Sequence, residues 1–288
     1  MLSEILASTL RVSTPLIFAA QGGMLSERAG VVNIALEGKM LLGAFAAAVV
    51  TYGTHSPWLG LAGGMGAGLA AGACYAFFVI PLRANQVVAG MAINLLALGL
   101  TPFLCKILYD VTGSTPSISM GDRFRVAPLY LCWVAVALCW FVLKWTPAGL
   151  WVGFAGEHPA ALEAAGIRVN AVRWCSVLAG GALAGAGGAS LSIFLASSFS
   201  RDMTAGRGFM ALAALIFGKW KPLPAALACL LFGFAEALQI RLQGVWGQGQ
   251  IPVEFIQILP YVATILVLAG FVGRARAPKS LGVPWRPS

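Results

Sequence analysis

The chain has 288 residues, of which 59% are apolar and only 10% are charged, and its mean hydropathy is +0.84. Soluble domains carry roughly 25% charged residues, so this composition excludes a soluble protein and predicts membrane helices of about 20 residues each. The formal net charge is +9, but the lysines and arginines stand singly between apolar runs. This pattern argues against nucleic-acid binding and is typical of charges that flank membrane helices.

The apolar segments predict an all-α fold, a polytopic helical membrane protein with about nine transmembrane helices, some of them broken or short. Residues 1–288 are predicted to form a single transmembrane domain. The predicted spans, in chain order, cover residues 5–25, 31–51, 57–82, 86–108, 128–144, 172–196, 204–217, 222–242 and 253–272. A polar loop at 146–171 separates the fifth span from the sixth, and a tail follows at 274–288.

Lysine and arginine positions set the predicted orientation. With nine spans the two ends of the chain lie on opposite sides of the membrane. Placing the C-terminus inside leaves 11 lysines and arginines on the cytoplasmic side and 7 outside, and cytoplasmic loops normally carry the excess. The sequence therefore predicts an N-out, C-in protein, with the loop 146–171 and the tail 274–288 in the cytoplasm.

Glycine spacing predicts close helix packing in two spans. In the third span, glycines recur every four residues, at Gly60, Gly64, Gly68 and Gly72. The sixth span repeats the spacing with Gly181, Gly185 and Ala189. Small residues four apart form a groove along one helix face, into which another backbone fits closely.

Three segments are not explained by spanning alone, and the first is 26–40. Its polar residues Asn33, Glu37 and Lys39 enter the second span just after Gly30. Ionisable groups at membrane depth usually face a cavity or a partner, and a helix broken at Gly30 would leave backbone groups free to line a solute path. The alternative is a pair of Glu37 and Lys39 that reaches the membrane surface.

The second segment lies in the loop 146–171. Pro159 suits the first position of a helix and Gly166 suits its end, which predicts a helix of about two turns between them. So short a helix needs a surface to rest on, and its small side chains would fit a groove in another protein. An ordinary connector at the membrane surface is the alternative.

The third segment, 206–222, is too short for a full span unless the helix begins within the membrane, and short, glycine-interrupted segments point to a translocation site. Glu236 and Gln239 follow in the eighth span. The candidate residues for a path that takes a polyhydroxylated or heterocyclic solute are Gln21, Asn33, Glu37, Asn85, Gln86, Asn94, Glu236 and Gln239. Hydrogen bonds from helix to helix are the alternative role for Asn94 and Glu236.

The chain lacks several chemical motifs. It contains no G-x-x-x-x-G-K-[ST] phosphate loop and no catalytic constellation, so it is not predicted to be an enzyme or to hydrolyse ATP itself. Its six cysteines form no C-x-x-C pair and it has only two histidines, so no metal site is predicted. A proton- or cation-driven transporter or channel using Glu37 and Glu236, and a membrane-embedded enzyme, are the other function classes.

Four stretches together resemble a known family. They are 27–43 (ERAGVVNIALEGKMLLG), 156–167 (GEHPAALEAAGI), 206–222 (GRGFMALAALIFGKWKP) and 231–238 (LFGFAEAL). In this order they resemble the permease subunits of ABC importers in the branched-chain amino acid, ribose and nucleoside permease superfamily. The first stretch looks most like the smaller permease of nucleoside importers. Ribose-type members carry an extra helix before the first span, so this chain is expected to depart from them at its start.

The resemblance implies partners and roles. It implies a coupling helix that contacts a separate ATP-binding subunit, where ATP and Mg²⁺ bind. Its residues are Glu157, His158, Pro159, Ala160, Ala161, Leu162, Glu163, Ala164, Ala165, Gly166 and Ile167. It also implies a second, longer permease, an extracytoplasmic solute-binding protein, surrounding lipid and a place in the bacterial cytoplasmic (inner) membrane. The expected solute is a nucleoside, with simple sugars and branched-chain amino acids as alternatives.

Overall fold

The computed structural model describes residues 2–246 and 276–286. Within them the protein is helical and contains no β-strand, which confirms the all-α prediction; one isolated bridge joins Ser114 and Ser200. The α-helices of these ranges are α1 (Leu2–Arg28), α2 (Leu36–Thr54), α3 (Pro57–Val79), α4 (Gln86–Tyr109), α5 (Ala127–Trp145), α6 (Pro147–Glu157), α7 (Pro159–Ala164), α8 (Val169–Ser190), α9 (Arg207–Phe217) and α10 (Pro222–Trp246). A π-helical turn, Leu191–Leu195, continues α8.

Helix starts follow from local sequence. Proline occupies the first turn of α3, α5, α6 and α7, where its missing N–H would have no partner in the helix. The Asn85 side chain caps α4 by accepting hydrogen bonds from the backbone N–H groups of Val87 (2.9 Å) and Val88 (3.2 Å), as N-cap asparagines do.

Five helical segments of the described residues are long and apolar enough to cross a membrane. They are Pro57–Val79, Gln86–Tyr109, Met120–Trp145, Val169–Leu195 and Pro222–Gln243, and each overlaps a predicted span. The shorter apolar helix Arg207–Phe217 overlaps the predicted short span. The predicted ninth span, 253–272, lies outside the described residues, so the total of nine spans and the N-out orientation remain predictions.

Two helix boundaries differ from those expected. The second span was expected to begin at residue 31, but α2 begins at Leu36 because residues 29–35 are not helical. Within the loop 146–171, residues 147–157 form α6, where the sequence predicts no helix. Thr146 starts this helix by accepting a hydrogen bond from the Gly149 N–H at 3.4 Å, with Pro147 in the first turn.

The helix α8 forms the centre of the bundle and is the most buried of the five long apolar segments. It packs against α1, α2 and α3. The two predicted glycine grooves face each other, because a Cβ added at Gly68 of α3 would lie 2.7 Å from the Gly185 Cα of α8. Gly180 meets the backbone of Gly22 in α1 with the same closeness. In lipid, where the hydrophobic effect does not drive helices together, such backbone contact supplies the van der Waals attraction that holds them.

Candidate translocation site

The chain between α1 and α2 is a buried, non-helical segment, here called the first break (residues 29–35). Gly30 adopts φ +90°, a left-handed conformation that glycine reaches without steric cost. The prediction that the helix breaks at Gly30 is therefore confirmed. Buried backbone groups outside a helix need other partners.

Side chains of α3 and α4 supply those partners. The Val32 N–H donates to Gln86 Oε1 at 2.8 Å, and the Val32 carbonyl accepts from the Tyr75 hydroxyl at 2.5 Å. Asn94 donates through Nδ2 to the Ile34 carbonyl at 3.0 Å, while its Oδ1 accepts from the Gly38 N–H at 2.8 Å. The two amides thus hold the first break in place.

Asn33 lies at the centre of a buried polar cluster. Its Oδ1 accepts from Lys39 Nζ at 2.6 Å, and its Nδ2 donates to Ser26 Oγ at 3.1 Å. Lys39 is fully buried and its ammonium lies 4.6 Å from the centre of the Tyr75 ring, a cation–π contact. The alternative of a Glu37–Lys39 pair at the membrane surface is wrong, because both side chains are buried and Lys39 binds Asn33.

Glu37 instead binds the start of α9. Its Oε1 accepts from the Gly206 N–H at 2.8 Å and its Oε2 from the Gly208 N–H at 2.6 Å. A carboxylate at a helix N-terminus satisfies unpaired N–H groups and interacts favourably with the helix dipole. Gly208 leaves no room for a side chain, since a Cβ there would lie 2.5 Å from the Glu37 nitrogen.

The helix α9 is short and follows a second non-helical segment, here called the second break (residues 196–206). Its 11 residues span about 16 Å, roughly half of a bilayer core of about 30 Å. Past its other end, the Trp220 indole N–H donates to Glu27 Oε2 at 2.7 Å. The short helix therefore lies between two buried carboxylates, Glu37 and Glu27.

An ion pair links α9 to α10. The Arg207 guanidinium binds the Glu236 carboxylate and also donates to the Met203 carbonyl at 3.0 Å. Arg207 Nε and Glu236 Oε2 are buried and have no hydrogen-bond partner within the described residues. Arg207 Nε–H can therefore donate to a new partner, and Glu236 Oε2 can accept from one, without breaking an existing bond.

The remaining sequence-predicted residues lie apart from this junction. Gln21 of α1 donates to the Pro222 carbonyl at 3.0 Å, where α10 begins. Asn85 is exposed and caps α4. Gln239 is half-buried on α10, one turn after Glu236. The structure thus joins Asn33, Glu37, Gln86 and Asn94 around the first break and brings Glu236 to the start of α9 through Arg207.

Sequence reasoning missed Arg207, Glu27 and Trp220 as parts of this junction. Arg207 is not among the candidate path residues, although its place between Gly206 and Gly208, at the start of a short apolar helix, is a usable signal. Glu27 and Trp220 pair across 193 residues of sequence, and no local pattern encodes that contact.

The predicted short helix in the loop 146–171 is present as α7, and it packs through one face. Leu162 is buried with Ala155 and Val169. The residues that face outward are almost all small, namely Ala160, Ala161, Ala164, Ala165 and Gly166. At its start, Glu157 and His158 are also exposed. The exposed face of α7 therefore consists mainly of small side chains.

A bundle of apolar helices, with two broken helices joined at a buried carboxylate, defines a multi-span membrane transport protein. The model of the family described as branched-chain amino acid transport system, permease component, matches residues 5–268. The chain belongs to this family, as the resemblance in its sequence predicted.

Comparison with curated proteins gives individual relatives. The chain is 40% identical to the guanosine ABC transporter permease protein NupQ of Bacillus subtilis, over 99% of this chain and 97% of NupQ. It is 40% identical to the nucleoside ABC transporter permease protein NupC of Lactococcus lactis, over 98% and 96% of the two chains. TsgC13 of Haloferax volcanii, named for glucose transport, is 36% identical over 84% of this chain and 78% of its own. No solved structure gives a significant match.

Proposed function

We propose that the chain is the permease subunit of an ATP-driven importer in the bacterial cytoplasmic membrane and that its solute is a nucleoside. The observation that carries the solute class is the near-complete match, at 40% identity, to two permeases named for guanosine and nucleoside transport. The match to the glucose-named relative covers less of both chains, so a simple sugar is the second candidate.

The geometry at the two breaks supports a neutral, polar solute. Amide side chains concentrate at the first break and non-helical backbone groups at both breaks, and both kinds of group can hydrogen-bond to the hydroxyls and heterocycle edges of a solute. Asn94, Gln86 and Glu37 already hold backbone N–H groups, so the solute competes with bonds inside the protein. Transport proteins with broken helices bind their solutes at such places.

The exposed face of α7 supports a separate ATP-binding partner. We assign residues 157–167 to coupling: ATP and Mg²⁺ bind in the partner subunit, whose closure moves α7 and rocks the helices between outward- and inward-open states. A second, longer permease and an extracytoplasmic binding protein complete the assembly.

Placing arginine on the exposed face of α7 tests the coupling role. Ala161→Arg is expected to abolish uptake while the permease remains folded in the membrane, because the long charged side chain does not fit a groove that accepts alanine. Ala161→Ser, which adds one hydroxyl, is expected to retain uptake. Normal ATP-driven uptake in the Ala161→Arg complex would refute the assignment.

Purification in mild detergent tests the whole proposal. We expect mass spectrometry to identify ATP-binding subunits and a second permease with the tagged chain. In proteoliposomes this complex, with its binding protein, is expected to take up radiolabelled guanosine only with ATP, and unlabelled adenosine should compete better than glucose or leucine. Uptake by the chain alone, following a proton or sodium gradient, would establish the gradient-driven alternative instead.

A further inference from the structure

Arg173, in the first turns of α8, joins three separate parts of the chain. It is only 3% exposed. Its Nε donates to the Ala29 carbonyl at 3.1 Å, its Nη2 to the Ala155 carbonyl at 3.3 Å and its Nη1 to the Val283 carbonyl at 2.9 Å. These acceptors belong to the first break, the end of α6 and the tail segment (residues 276–286).

The tail segment ties the same parts together through its backbone. The Ser280 N–H donates to the Gly156 carbonyl at 2.8 Å, and the Gly282 N–H donates to the Gly30 carbonyl at 3.1 Å. The Trp285 ring packs against the small cluster that contains Leu162 of α7. The tail segment therefore contacts both the first break and the helix pair α6–α7.

The first break and the end of α6 are also in direct contact. A Cβ added at Gly30 would lie 2.8 Å from Arg173 Nη2 and 3.3 Å from the Ala155 carbonyl oxygen. One added at Gly156 would meet the Arg28 carbonyl oxygen and lie 3.2 Å from the Gly30 nitrogen. With no space between them, a displacement of α6 moves Gly30 or breaks these contacts.

Resting on the proposed function, we infer that Arg173 is a positioning residue that transmits motion of the α6–α7 pair to the first break, with the tail segment as a second tie. The α7 helix is the part that the ATP-binding partner moves, and the first break carries Asn33 and leads into Glu37. All three hydrogen bonds of Arg173 go to backbone carbonyls of the protein itself. Its guanidinium presents donors in a rigid plane that reaches all three carbonyls at once, and a lysine ammonium lacks that geometry.

A conservative substitution separates this role from a purely structural one. In the reconstituted complex, Arg173→Lys is expected to keep assembly and ATP hydrolysis while uptake per ATP hydrolysed falls roughly tenfold, within the range that mutations along a coupling network produce. The matched control is Arg83→Lys, an exposed arginine between α3 and α4, which should leave the ratio unchanged. Assembly, hydrolysis and uptake that all fall in proportion would show that Arg173 only stabilises the fold and would overturn the inference.

The tail provides an independent variant. Ser280→Pro removes the N–H that binds the Gly156 carbonyl, and Ser280→Ala retains it. We expect uptake per ATP to fall in Ser280→Pro and to stay at the wild-type level in Ser280→Ala. Equal ratios in the two variants would overturn the role of the tail segment.

A readout without solute keeps this inference separate from the proposed solute class. With the exposed Cys74 and Cys175 replaced by serine, Ile34→Cys places one cysteine in the first break, at a half-buried position. ATP is expected to change its maleimide labelling rate in the wild-type background and to leave that rate unchanged in Arg173→Lys, although hydrolysis continues. An equal response in both backgrounds would overturn the inference. Absence of nucleoside uptake in the wild-type complex would refute the solute class alone.

Discussion

The interface of α3 with α8 and the junction of α2 with α9 both bring helices into close contact, but they use different groups. Between α3 and α8, Gly68 meets Gly185 backbone to backbone. Between α2 and α9, the Glu37 carboxylate holds the Gly206 and Gly208 N–H groups. Packed backbones have few alternative arrangements at similar energy, whereas a carboxylate can exchange one N–H donor for another. We therefore expect the glycine interface to act as the fixed frame and the polar junction to be the part that rearranges.

The most damaging change to the frame is a methyl group on its inner face. Gly68→Ala is expected to lower the free energy of unfolding by about 3 kcal/mol, because the new Cβ overlaps the backbone of α8. Gly66→Ala is the matched control, since Gly66 lies on the same helix with nothing within 4 Å of an added Cβ. Thermal unfolding in detergent compares the two. A Gly68→Ala protein as stable as the control would contradict the assignment of the α3–α8 interface as the fixed frame.

Removing the carboxylate tests the polar junction. Glu37→Gln is expected to lower the free energy of unfolding by about 2 kcal/mol, since a neutral amide has one oxygen for the two N–H groups at the start of α9. Uptake should fall further than stability does, because the lost bonds are those that rearrange. Thermal unfolding and proteoliposome uptake measure the two effects. Full uptake by a destabilised Glu37→Gln protein would show that Glu37 acts only as a helix cap.

A double-mutant cycle sharpens the assignment of the ion pair between α9 and α10. The variants Arg207→Met and Glu236→Gln, singly and together, are expected to reveal a coupling energy of about 1 kcal/mol, as is common for contacting charged groups. Unfolding in detergent measures the difference in unfolding free energy between the wild type and each of the three variants. Strictly additive effects would show that the pair contributes no interaction energy.

The smallest of the predicted effects concerns the loop before α5, which contacts His55 between α2 and α3. His55 Nδ1 lies 2.8 Å from Asp122 Oδ2, and Ser119 donates to the same oxygen at 2.8 Å. The hydrogen bond with His55, followed by that with Ser119, holds the pKa of Asp122 below its ordinary value.

A lowered carboxylate pKa stabilises the fold above the ordinary pKa, and this contribution is lost as the pH falls through the lowered value. Asp122→Asn is therefore expected to melt slightly below wild type at neutral pH, and the two melting temperatures should converge in strong acid. A difference in melting temperature that does not change with pH would contradict this account.

The sequence predicted more of the α3–α8 interface than of the junction of α2 with α9. The spacing of small residues in 60–72 and 181–189 predicted close packing, since four-residue spacing is a local property of a helix. Gly30 likewise predicted the break. Which groove faces which helix, and which N–H groups Glu37 binds, depends on contacts between residues distant in sequence.

The residues proposed for coupling also divide into features that local sequence predicts and contacts that it does not. Pro159 and Gly166 predicted the boundaries of α7 because proline and glycine act on the local backbone. Arg173 is not among the residues that the sequence singles out, and nothing near it in the sequence indicates that Val283 lies within reach. A charged residue at a helix end is usually a flanking charge, so its burial is visible only in the structure.

Hydrogen exchange of the reconstituted complex, measured with and without ATP, tests whether the α3–α8 interface stays fixed while the junction of α2 with α9 rearranges. We predict that ATP changes the exchange of backbone amides in the first break and around Gly206 and Gly208, while the glycine-rich part of α8 (residues 180–188) stays protected in both states. Changed protection along α8 with constant protection at Gly206 and Gly208 would contradict the division into a fixed frame and a mobile junction.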